Sequence, residues 1–203
     1  ILNTFLPLLP PFAIQKRKAM KYIETSIPDV WVLEPRVFED ARGYFMETWR
    51  EEDFNQHIGR KVHFVQDNQS LSSRGVLRGL HYQKGELSQA KLVRVLQGVV
   101  VDVAVDLRKD SPTFGKYVIV ELSEDNKRQL FIPRGFAHGF QVLSPKAVFT
   151  YKVDNRYAPE AECSIRFDDP SIGIEWPIND PSEVLLSEKD LAHAVSFEAA
   201  EKF

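Results

Sequence analysis

Cysteine is almost absent from this sequence, which has one, Cys163, among 203 residues. One thiol can form neither an internal disulfide nor a Cys-based zinc site, so a reduced, cytoplasmic protein is predicted. The 26 basic residues do not outnumber the 29 acidic ones, and a net charge of −3 offers no basic excess for nucleic acid. No apolar run reaches the roughly 18 to 20 residues of a membrane span. Nucleic acid and membrane are therefore not expected partners.

The N-terminal stretch is unlike a secretory signal, in which basic residues precede the apolar part. Here the apolar part comes first, contains three prolines and is followed by the basic cluster 16–18. A small-residue cleavage site does not follow it either. Residues 1–19 are therefore predicted to be an added or start-site extension, with an amphipathic anchor as the alternative. A single domain is predicted for 20–203.

Short runs rich in Val, Ile, Phe and Tyr, separated by turn residues, dominate the rest of the chain. About ten closely spaced strands without intervening helices indicate a sandwich or a barrel. Helical patterns are confined to two segments, 49–59 and 187–202, so the fold is predicted to be mainly β with short peripheral helices. The predicted strands are 30–35, 43–49, 63–69, 75–83, 91–107, 116–122, 128–133, 136–143, 147–153 and 164–167.

The alternation of side chains is clearest in the strand at 99–107. One face carries two carboxylates, Asp102 and Asp106, on either side of Ala104, while the other face is a row of valines. Two carboxylates in this pattern would line a polar barrel interior. A face of the sheet that meets solvent is the alternative.

Two segments resemble the paired motifs of cupins, which fold as a double-stranded β-helix or jelly-roll barrel. RGLHYQ (78–83) has His81 at the spacing of the first motif, and IPRGFAHGF (132–140) has His138 at the spacing of the second. Gln83 stands where the first motif has another histidine. Metal cupins hold their ion with three histidines and a carboxylate, so this set makes a poor metal site. Neither a metal nor another cofactor is expected.

A closer resemblance, covering 20–203, is to the dTDP-4-dehydrorhamnose 3,5-epimerase family. It implies a metal-independent isomerase that acts on a dTDP-4-keto-6-deoxy sugar. Family members are homodimers, and crossing of the segment 20–47 between subunits is expected here. Eight blocks carry the resemblance in the family's order: FEDARGYFMETW (38–49), FVQDNQS (64–70), VLRGLHYQ (76–83), KLVRVLQG (91–98), VDVAVDLRKDSPTFG (101–115), LFIPRGFAHGF (130–140), the pair Tyr151 and Lys152, and GIEWP (173–177).

The resemblance also implies the catalytic roles. His81 is the base, Asp190 is the carboxylate that orients it, and Tyr151 is the acid on the opposite face of the sugar. For Asp190 the pattern Ser187-x-x-Asp190 is equally that of a helix cap. The two carboxylates of the strand at 99–107 therefore remain competing partners for His81.

Further residues match the family's substrate contacts. Arginine suits the diphosphate because its planar fork donates two hydrogen bonds, and Lys91 lies either at the diphosphate or near the ketone. Crossing of the N-terminal strands would put two of the residues, Arg42 and Glu47, into the neighbouring subunit's pocket. The implied contacts are Arg42, Glu47, Gln66, Asp67, Asn68, Arg78, Lys91, His138, Glu162 and Lys189.

Three other functions are compatible with parts of the pattern. The first is an epimerase that inverts C3 alone or acts on a different deoxysugar, which would keep the same base and acid. The second is a non-catalytic cupin that binds a nucleotide sugar, which the combination of His81, Tyr151 and Asp190 disfavours. The third is a metal-dependent cupin dioxygenase, which the glutamine at position 83 disfavours.

Overall fold

The computed structural model describes residues 20–203, and the predicted extension 1–19 lies outside them. No helix in the described part is long and apolar enough to cross a membrane. In chain order the elements of 20–203 are β1 (Met20–Glu24), β2 (Trp31–Pro35), β3 (Val37–Asp40), β4 (Gly43–Met46), α1 (Glu51–Ile58), β5 (Gln66–Ser73), β6 (Leu77–Gln83), β7 (Lys91–Gln97), β8 (Val99–Asp106), β9 (Tyr117–Ser123), β10 (Gln129–Ile132), β11 (Phe136–Val142), β12 (Lys146–Val153), β13 (Glu162–Ser164) and α2 (Glu188–His193), with short 3₁₀ turns at Gly85–Leu87 and Pro159–Ala161.

Two antiparallel sheets form the walls of the barrel. One contains β1, β2, β10, β7, β12 and β5 in that order, and the other contains β13, β6, β11, β8 and β9. Strands that follow each other in sequence often belong to opposite sheets, as β7 and β8 do. Within residues 20–203 the hairpin of β3 and β4 pairs with neither wall. The predicted mainly β jelly-roll barrel with short peripheral helices is confirmed.

Apolar side chains fill three layers. The barrel interior is packed by residues of both sheets, including Val93, Phe140 and Phe149. Helix α1 covers the outer face of the six-stranded sheet with Phe54 and Ile58, which lie one turn apart on the same side of the helix. The C-terminal segment covers the outer face of the five-stranded sheet. Burying each large apolar side chain stabilises the fold by about 1.5 to 3 kcal/mol.

The polar face of strand β8 lies inside the barrel. Val100 and Ala104 belong to the interior core, while the alternate valines face the C-terminal segment. Asp102, between them, is fully buried. The predicted polar interior is therefore confirmed, and the solvent-facing alternative is wrong.

Several predicted boundaries are wrong because tertiary contacts override the local pattern. The run 91–107 is two strands, since Gly98 turns the chain with φ of 82° from one sheet to the other. The helix predicted for 187–202 ends at His193, because Val195 is extended and its N–H bonds to Ser164 O at 3.0 Å. Strands β1 and β3 lie in segments that were not predicted as strands.

A bulge in β6 sets the direction of the side chains that face the interior. His138 of β11 lies opposite His81, and Phe140 lies opposite Arg78, so three steps along β6 match two along β11. In a regular strand, residues three apart point to opposite faces. The bulge instead lets Arg78 and His81 share the inner face. Gly79 permits it, because a Cβ there would lie 2.5 Å from Gly139 Cα.

Replacing Gly79 with alanine should therefore destabilise the barrel. Gly79 has φ of +135°, and the added methyl would meet backbone, so the expected loss in free energy of unfolding is about 3 kcal/mol or more. Urea denaturation measures it. Gly59→Ala is the matched control, because Gly59 also has positive φ but nothing within 4 Å of the added Cβ, and its loss should be about 1 kcal/mol. Equal losses in the two variants would contradict the close approach at Gly79.

Candidate active site

Polar and ionisable side chains gather inside the barrel, on strands of both walls and on α2. The six-stranded wall supplies residues that share the inward face with the interior valines and phenylalanines. The five-stranded wall supplies two histidines that lie directly opposite each other. These residues are Gln66, Asn68, Arg78, His81, Lys91, Asp102, His138, Tyr151, Glu162 and Asp190.

His81 and Asp190 form the contact that joins β6 to α2. His81 Nε2 is hydrogen-bonded to Asp190 Oδ1, which leaves Nδ1 as the ring nitrogen able to accept a proton. Asp190 is 7% exposed and His81 is 29% exposed, so the carboxylate is shielded while the imidazole reaches the interior space. Burial alone would raise the pKa of Asp190, but the hydrogen bond and charge of His81 lower it overall. Asp190 is thus an ionised partner for this ring.

Ser187 holds the same carboxylate from the other side. Its Oγ accepts the backbone N–H of Asp190 at 3.1 Å, which is the predicted helix cap, and donates to Asp190 Oδ2 at 2.8 Å. The two carboxylate oxygens therefore serve different partners. The cap pattern and the contact with His81 occur together and are not alternatives.

A second histidine–aspartate pair lies deeper in the barrel. His138 Nε2 is 2.9 Å from Asp102 Oδ2 and 3.0 Å from its Oδ1, and both residues are buried. Burial raises the pKa of Asp102 and lowers that of His138. Asp106, the other competing carboxylate, instead bonds to Arg108 at 2.8 Å. Of the three carboxylates considered for His81, the structure places Asp190 beside it.

Lys91 is a cation whose charge acts on both members of this deeper pair. It begins β7 on the face of Val93 and Val95, which points into the barrel. Burial lowers its pKa to about 8, against the opposing effect of the negative charges of Asp102 and Glu162. Lys91 is thus a cation at neutral pH that releases its proton only slightly above it.

Tyr151 projects inward from β12, on the wall opposite His81, and packs against the interior core. Burial raises the pKa of its hydroxyl, and the positive charge of Arg78 opposes the rise. The phenol therefore carries its proton at neutral pH. Arg78 Nε donates to Ser72 Oγ at 3.2 Å, which fixes the direction of its guanidinium.

Gln66 and Asn68 also face inward, and Gln66 Nε2 donates to Asn68 Oδ1 at 2.8 Å. Asp67, between them, points outward and forms an ion pair of 2.9 Å with Lys152. A depression of about 330 Å³ lies on that outer face, away from His81. Asp67 therefore does not share the inward face with Gln66 and Asn68, although the resemblance implies that all three contact the substrate.

Arg42 and Glu47 lie outside the barrel interior. Both are on or beside the β3–β4 hairpin, where Arg42 pairs with Asp40 at 2.6 Å and Glu47 pairs with Arg50 at 2.8 Å. The remaining two predicted contacts, Glu162 and Lys189, form an ion pair with each other. Glu162 also accepts a hydrogen bond of 2.7 Å from the hydroxyl of Tyr157.

The donor set does not fit a metal ion. Within residues 20–203 no three His, Cys, Asp or Glu side chains converge in a way that could hold one. Gln83, at the position of the missing histidine, is buried and bonds to the backbone: it donates to Leu87 O at 2.6 Å and accepts from Ala158 N at 2.9 Å. Its amide supports loops and is not available as a ligand.

The sequence did not predict two features of the site, which are the pairing of Asp102 with His138 and the position of Tyr157. The sequence offered Asp102 as a partner for His81, and the alternation along β8 left its face either inside the barrel or toward solvent. Nothing local tied Asp102 to His138. Tyr157 lies in the loop after β12, and no pattern in the loop singled it out. Only the folded chain brings its hydroxyl to Glu162.

Chemically, the arrangement offers an oriented imidazole on one wall, a protonated phenol on the other and a buried cation between acidic groups. These are the parts needed to remove a proton from carbon, stabilise the resulting negative charge and return a proton. With the jelly-roll barrel they define the class of this protein, a cupin-type enzyme suited to proton transfer at carbon.

The family model described as dTDP-4-dehydrorhamnose 3,5-epimerase matches residues 24–198, and the chain belongs to this family. A dTDP-4-dehydrorhamnose 3,5-epimerase of Shigella flexneri is 58% identical over 172 residues, which are 85% of this chain and 93% of that protein. The crystal structure of the Elizabethkingia anophelis enzyme superposes with a TM-score of 0.85 at 54% identity, covering 89% of this chain and 97% of the other.

A Legionella pneumophila epimerase, solved in complex with dTDP-4-keto-L-rhamnose, has a TM-score of 0.83 and 49% identity. The match covers 87% of this chain and 92% of that one. The resemblance seen in the sequence blocks is thereby confirmed, as is the isomerase class.

The ε-ammonium group of Lys91 should titrate near pH 8, because burial lowers its pKa to about 8. NMR titration of a lysine-labelled sample measures the midpoint. Asp102→Asn removes a negative charge that favours the ammonium, so this variant should shift the midpoint downward. Lys84 is an internal control, since its hydrogen bond to Glu201 raises its pKa above the usual lysine value. A Lys91 midpoint equal to that of Lys84 would contradict the burial of the amine.

Proposed function

We propose that this chain converts dTDP-4-dehydro-6-deoxy-D-glucose to dTDP-4-dehydro-L-rhamnose, the inversion of C3 and C5 beside a 4-keto group. The observation that carries the proposal is the His81–Asp190 pair on one wall of the barrel with Tyr151 on the opposite wall. Membership of the epimerase family and the likeness to the Legionella complex support the substrate class. The product supplies the pathway to dTDP-L-rhamnose.

The chemistry depends on the ketone. A carbonyl acidifies the C–H bonds on both neighbouring carbons, so a base can remove either proton and leave an enolate. Return of a proton to the other face inverts the carbon, and the electron pair goes back from oxygen to the new C–H bond. Neither oxidation nor reduction occurs overall. The reaction needs one base, one acid on the opposite side and positive charge near the enolate oxygen.

In this scheme His81 is the base. Because Nε2 is held by Asp190, Nδ1 takes the proton from carbon, and the ionised carboxylate stabilises the imidazolium that forms. The buried position of Asp190 keeps the pair oriented before substrate arrives. His81 then releases its proton to solvent, Tyr151 regains the proton that it gave to the first carbon, and the same base and acid act at the second carbon.

Tyr151 is the acid in the scheme, since its raised pKa keeps the phenol protonated until the enolate forms.

Lys91 provides positive charge for the enolate oxygen. Below pH 8 its amine is charged and above it the charge is lost, so turnover should fall as pH rises through about 8. His138, held by Asp102 through Nε2, contacts the sugar in this assignment.

The nucleotide end of the substrate needs donors and cations. Arg78 retains its two terminal amino groups for the diphosphate, since only Nε is bound to Ser72 among the described contacts. Gln66 and Asn68 offer amide groups that match the imide edge of thymine. Asp67 does not share their direction, and its ion pair with Lys152 gives it a place on the outer surface.

A homodimer would complete the pocket. The β3–β4 hairpin pairs with neither sheet within residues 20–203 and exposes apolar rings, with Phe45 71% exposed and Tyr44 58% exposed. Apolar hairpins of this kind are normally covered. Seated on a second copy, the hairpin would bring Arg42 and Glu47 of the partner subunit to the nucleotide. A cytoplasmic location, expected from the single cysteine, stays a prediction.

Incubation with dTDP-4-dehydro-6-deoxy-D-glucose in deuterated water tests the proposed function. We expect deuterium at both C3 and C5, detected by NMR, and no loss of rate after treatment with a metal chelator. Deuterium at C3 alone would overturn the double inversion and indicate a C3 epimerase. No exchange at either carbon would overturn the catalytic assignment.

Variants of His81 and Tyr151 should separate removal of the proton from its return. His81→Ala should lower exchange at both carbons by about 10²- to 10⁴-fold while dTDP binding persists, because the base is lost but the nucleotide contacts are not. Tyr151→Phe should still exchange deuterium yet complete inversion poorly. His63→Asn, at an exposed residue paired with Glu51, is the control and should match wild type. Normal turnover in Tyr151→Phe would remove Tyr151 from the acid role.

Phe45→Asp should dissociate the dimer, because it puts a charge on the apolar hairpin. Light scattering after gel filtration should show a monomer, and dTDP affinity should fall as Arg42 and Glu47 leave the neighbouring pocket. Ile119→Asp is the control, because Ile119 is an exposed apolar residue of β9, which belongs to the five-stranded sheet and not to the hairpin. A monomeric wild type, or a dimer that survives Phe45→Asp, would contradict this assembly.

A further inference from the structure

Gln83 is 4% exposed, and the three hydrogen bonds of its side chain within residues 20–203 all go to the backbone of two loops. Its Nε2 donates to Leu87 O at 2.6 Å and to Arg156 O at 3.1 Å, while Oε1 accepts from Ala158 N at 2.9 Å. The amide thus uses both of its donors and an acceptor. Its direction is defined, because a reversed amide would put its oxygen against two carbonyl oxygens.

The two loops that Gln83 joins lie at the same end of the barrel. One is 84–90, between β6 and β7, and the other, which we call the rim loop, is 154–158, after β12. Three more hydrogen bonds connect them: Gln89 Nε2 to Asn155 O at 2.8 Å, Ala90 N to Asp154 Oδ1 at 2.7 Å and Asn155 Nδ2 to Glu86 O at 3.0 Å. These bonds hold positions 154 and 155 of the rim loop, whereas Gln83 holds positions 156 and 158.

Tyr157 lies between the two backbone groups that Gln83 holds. Its hydroxyl donates to Glu162 Oε2 at 2.7 Å, and its backbone N–H donates to Gln66 Oε1 at 3.4 Å. Gln66 in turn donates to Asn68 at 2.8 Å. The family resemblance implies that Gln66, Asn68 and Glu162 contact the substrate. The position of the rim loop therefore affects the direction of side chains that are expected to bind it.

Loss of the Gln83 amide would release this part of the rim loop. Ala158 is 2% exposed, so its N–H would lose its partner in a place that water does not reach, which is unfavourable. We expect the loop to move until its backbone groups find new partners, and Tyr157 would move with it. His81 and Tyr151 lie on strands of the two sheets and would stay in place.

We propose that Gln83 is a positioning residue for substrate binding, whose amide fixes the rim loop so that Tyr157 meets Glu162 and Gln66. This assignment rests on the proposed epimerase function and extends it to a residue for which the resemblance implied no contact. Gln83 stands where the first cupin motif has another histidine. The position that supplies a ligand in metal cupins thus supports a loop in this chain.

Gln83→Met tests the proposal, because it keeps the length of the side chain and removes all three hydrogen bonds. Calorimetric titration should show dTDP affinity lower by about 10-fold, the loss expected for one or two misplaced polar contacts. The KM for the sugar nucleotide should rise by a similar factor. At saturating substrate, kcat should stay within about threefold of wild type. Normal dTDP affinity, or a lower kcat with normal affinity, would overturn the proposal.

Gln141→Met is the matched control. Gln141 is also buried, and its amide holds another backbone segment: Nε2 donates to Ile178 O at 2.7 Å and Oε1 accepts from Ile178 N at 2.9 Å. Ile178 follows Trp176, which packs on the outer face of the five-stranded sheet. Both variants should lower the urea midpoint, but Gln141→Met should keep dTDP affinity within about twofold of wild type. Equal losses of affinity would overturn the proposal, because they would indicate a general effect of lower stability.

A double-mutant cycle tests whether Gln83 acts through Tyr157. In a Tyr157→Ala background the rim loop no longer presents the side chain that meets Glu162. Gln83→Met should then lower dTDP affinity by less than about threefold. The full loss in that background would overturn the proposal, because it would show an effect independent of Tyr157.

Gln83→Glu is a second variant, which keeps the shape of the amide. An ionised carboxylate cannot donate to Leu87 O or Arg156 O, whereas a protonated carboxyl donates to one of them. Burial raises the pKa of such a carboxyl. The dTDP affinity of this variant relative to wild type should therefore increase as pH falls. A ratio that stays low at every pH at which both proteins are folded would overturn the proposal.

Amide hydrogen exchange without substrate keeps this inference separate from the proposed function. The Ala158 amide should exchange slowly in wild type and in Gln141→Met, and fast in Gln83→Met, because its acceptor is lost. Slow exchange at Ala158 in Gln83→Met would overturn the role of Gln83 even if the enzyme is active. A protected Ala158 in a wild-type protein that incorporates no deuterium into the sugar would count against the proposed function alone.

Discussion

The hydrogen bond between His81 and Asp190 connects residues 109 positions apart, and much of the surrounding structure fixes its two ends. On one side, the bulge of β6 turns His81 toward the interior, and it exists because Gly79 and Gly139 let two backbones approach. On the other side, Ser187 holds the carboxylate at the start of α2. Neither strand β6 nor helix α2 could place His81 and Asp190 together alone.

The second constraint is the burial of charge inside an otherwise apolar barrel. An isolated buried charge is strongly unfavourable, and a barrel can keep one only if partners surround it. Asp102 lies against His138, with Lys91 near enough to affect the pKa values of both. Phe140 and Phe149 stack beside them at 4.1 Å between ring centroids. These apolar rings and the hydrogen-bonded pair line the same interior, where in the proposed reaction the positive charge of Lys91 would act on the enolate.

The sequence predicted what depends on local pattern. The alternation along β8 put Asp102 and Asp106 on one face, with a polar interior as one of two interpretations, and the resemblance of RGLHYQ to a cupin motif singled out His81. Contacts between distant segments could not be predicted: α2 is short because Val195 pairs with the strand region after β13, and Gly98 divides one apolar run between two sheets. For the same reason, local spacing could not decide among three carboxylates for His81. Lys189 and Glu162 matched substrate contacts by resemblance, and the fold also pairs them with each other.

In the proposed reaction, base and acid approach the sugar from opposite walls of the barrel. The most direct test is a crystal structure of the Tyr151→Phe variant with the 4-keto substrate bound. We predict His81 Nδ1 within hydrogen-bonding reach of one face of the ring at C3 or C5, and the edge of the substituted aromatic ring at position 151 on the opposite face. A sugar with both side chains on the same face, or with its reacting carbons far from His81, would contradict the account.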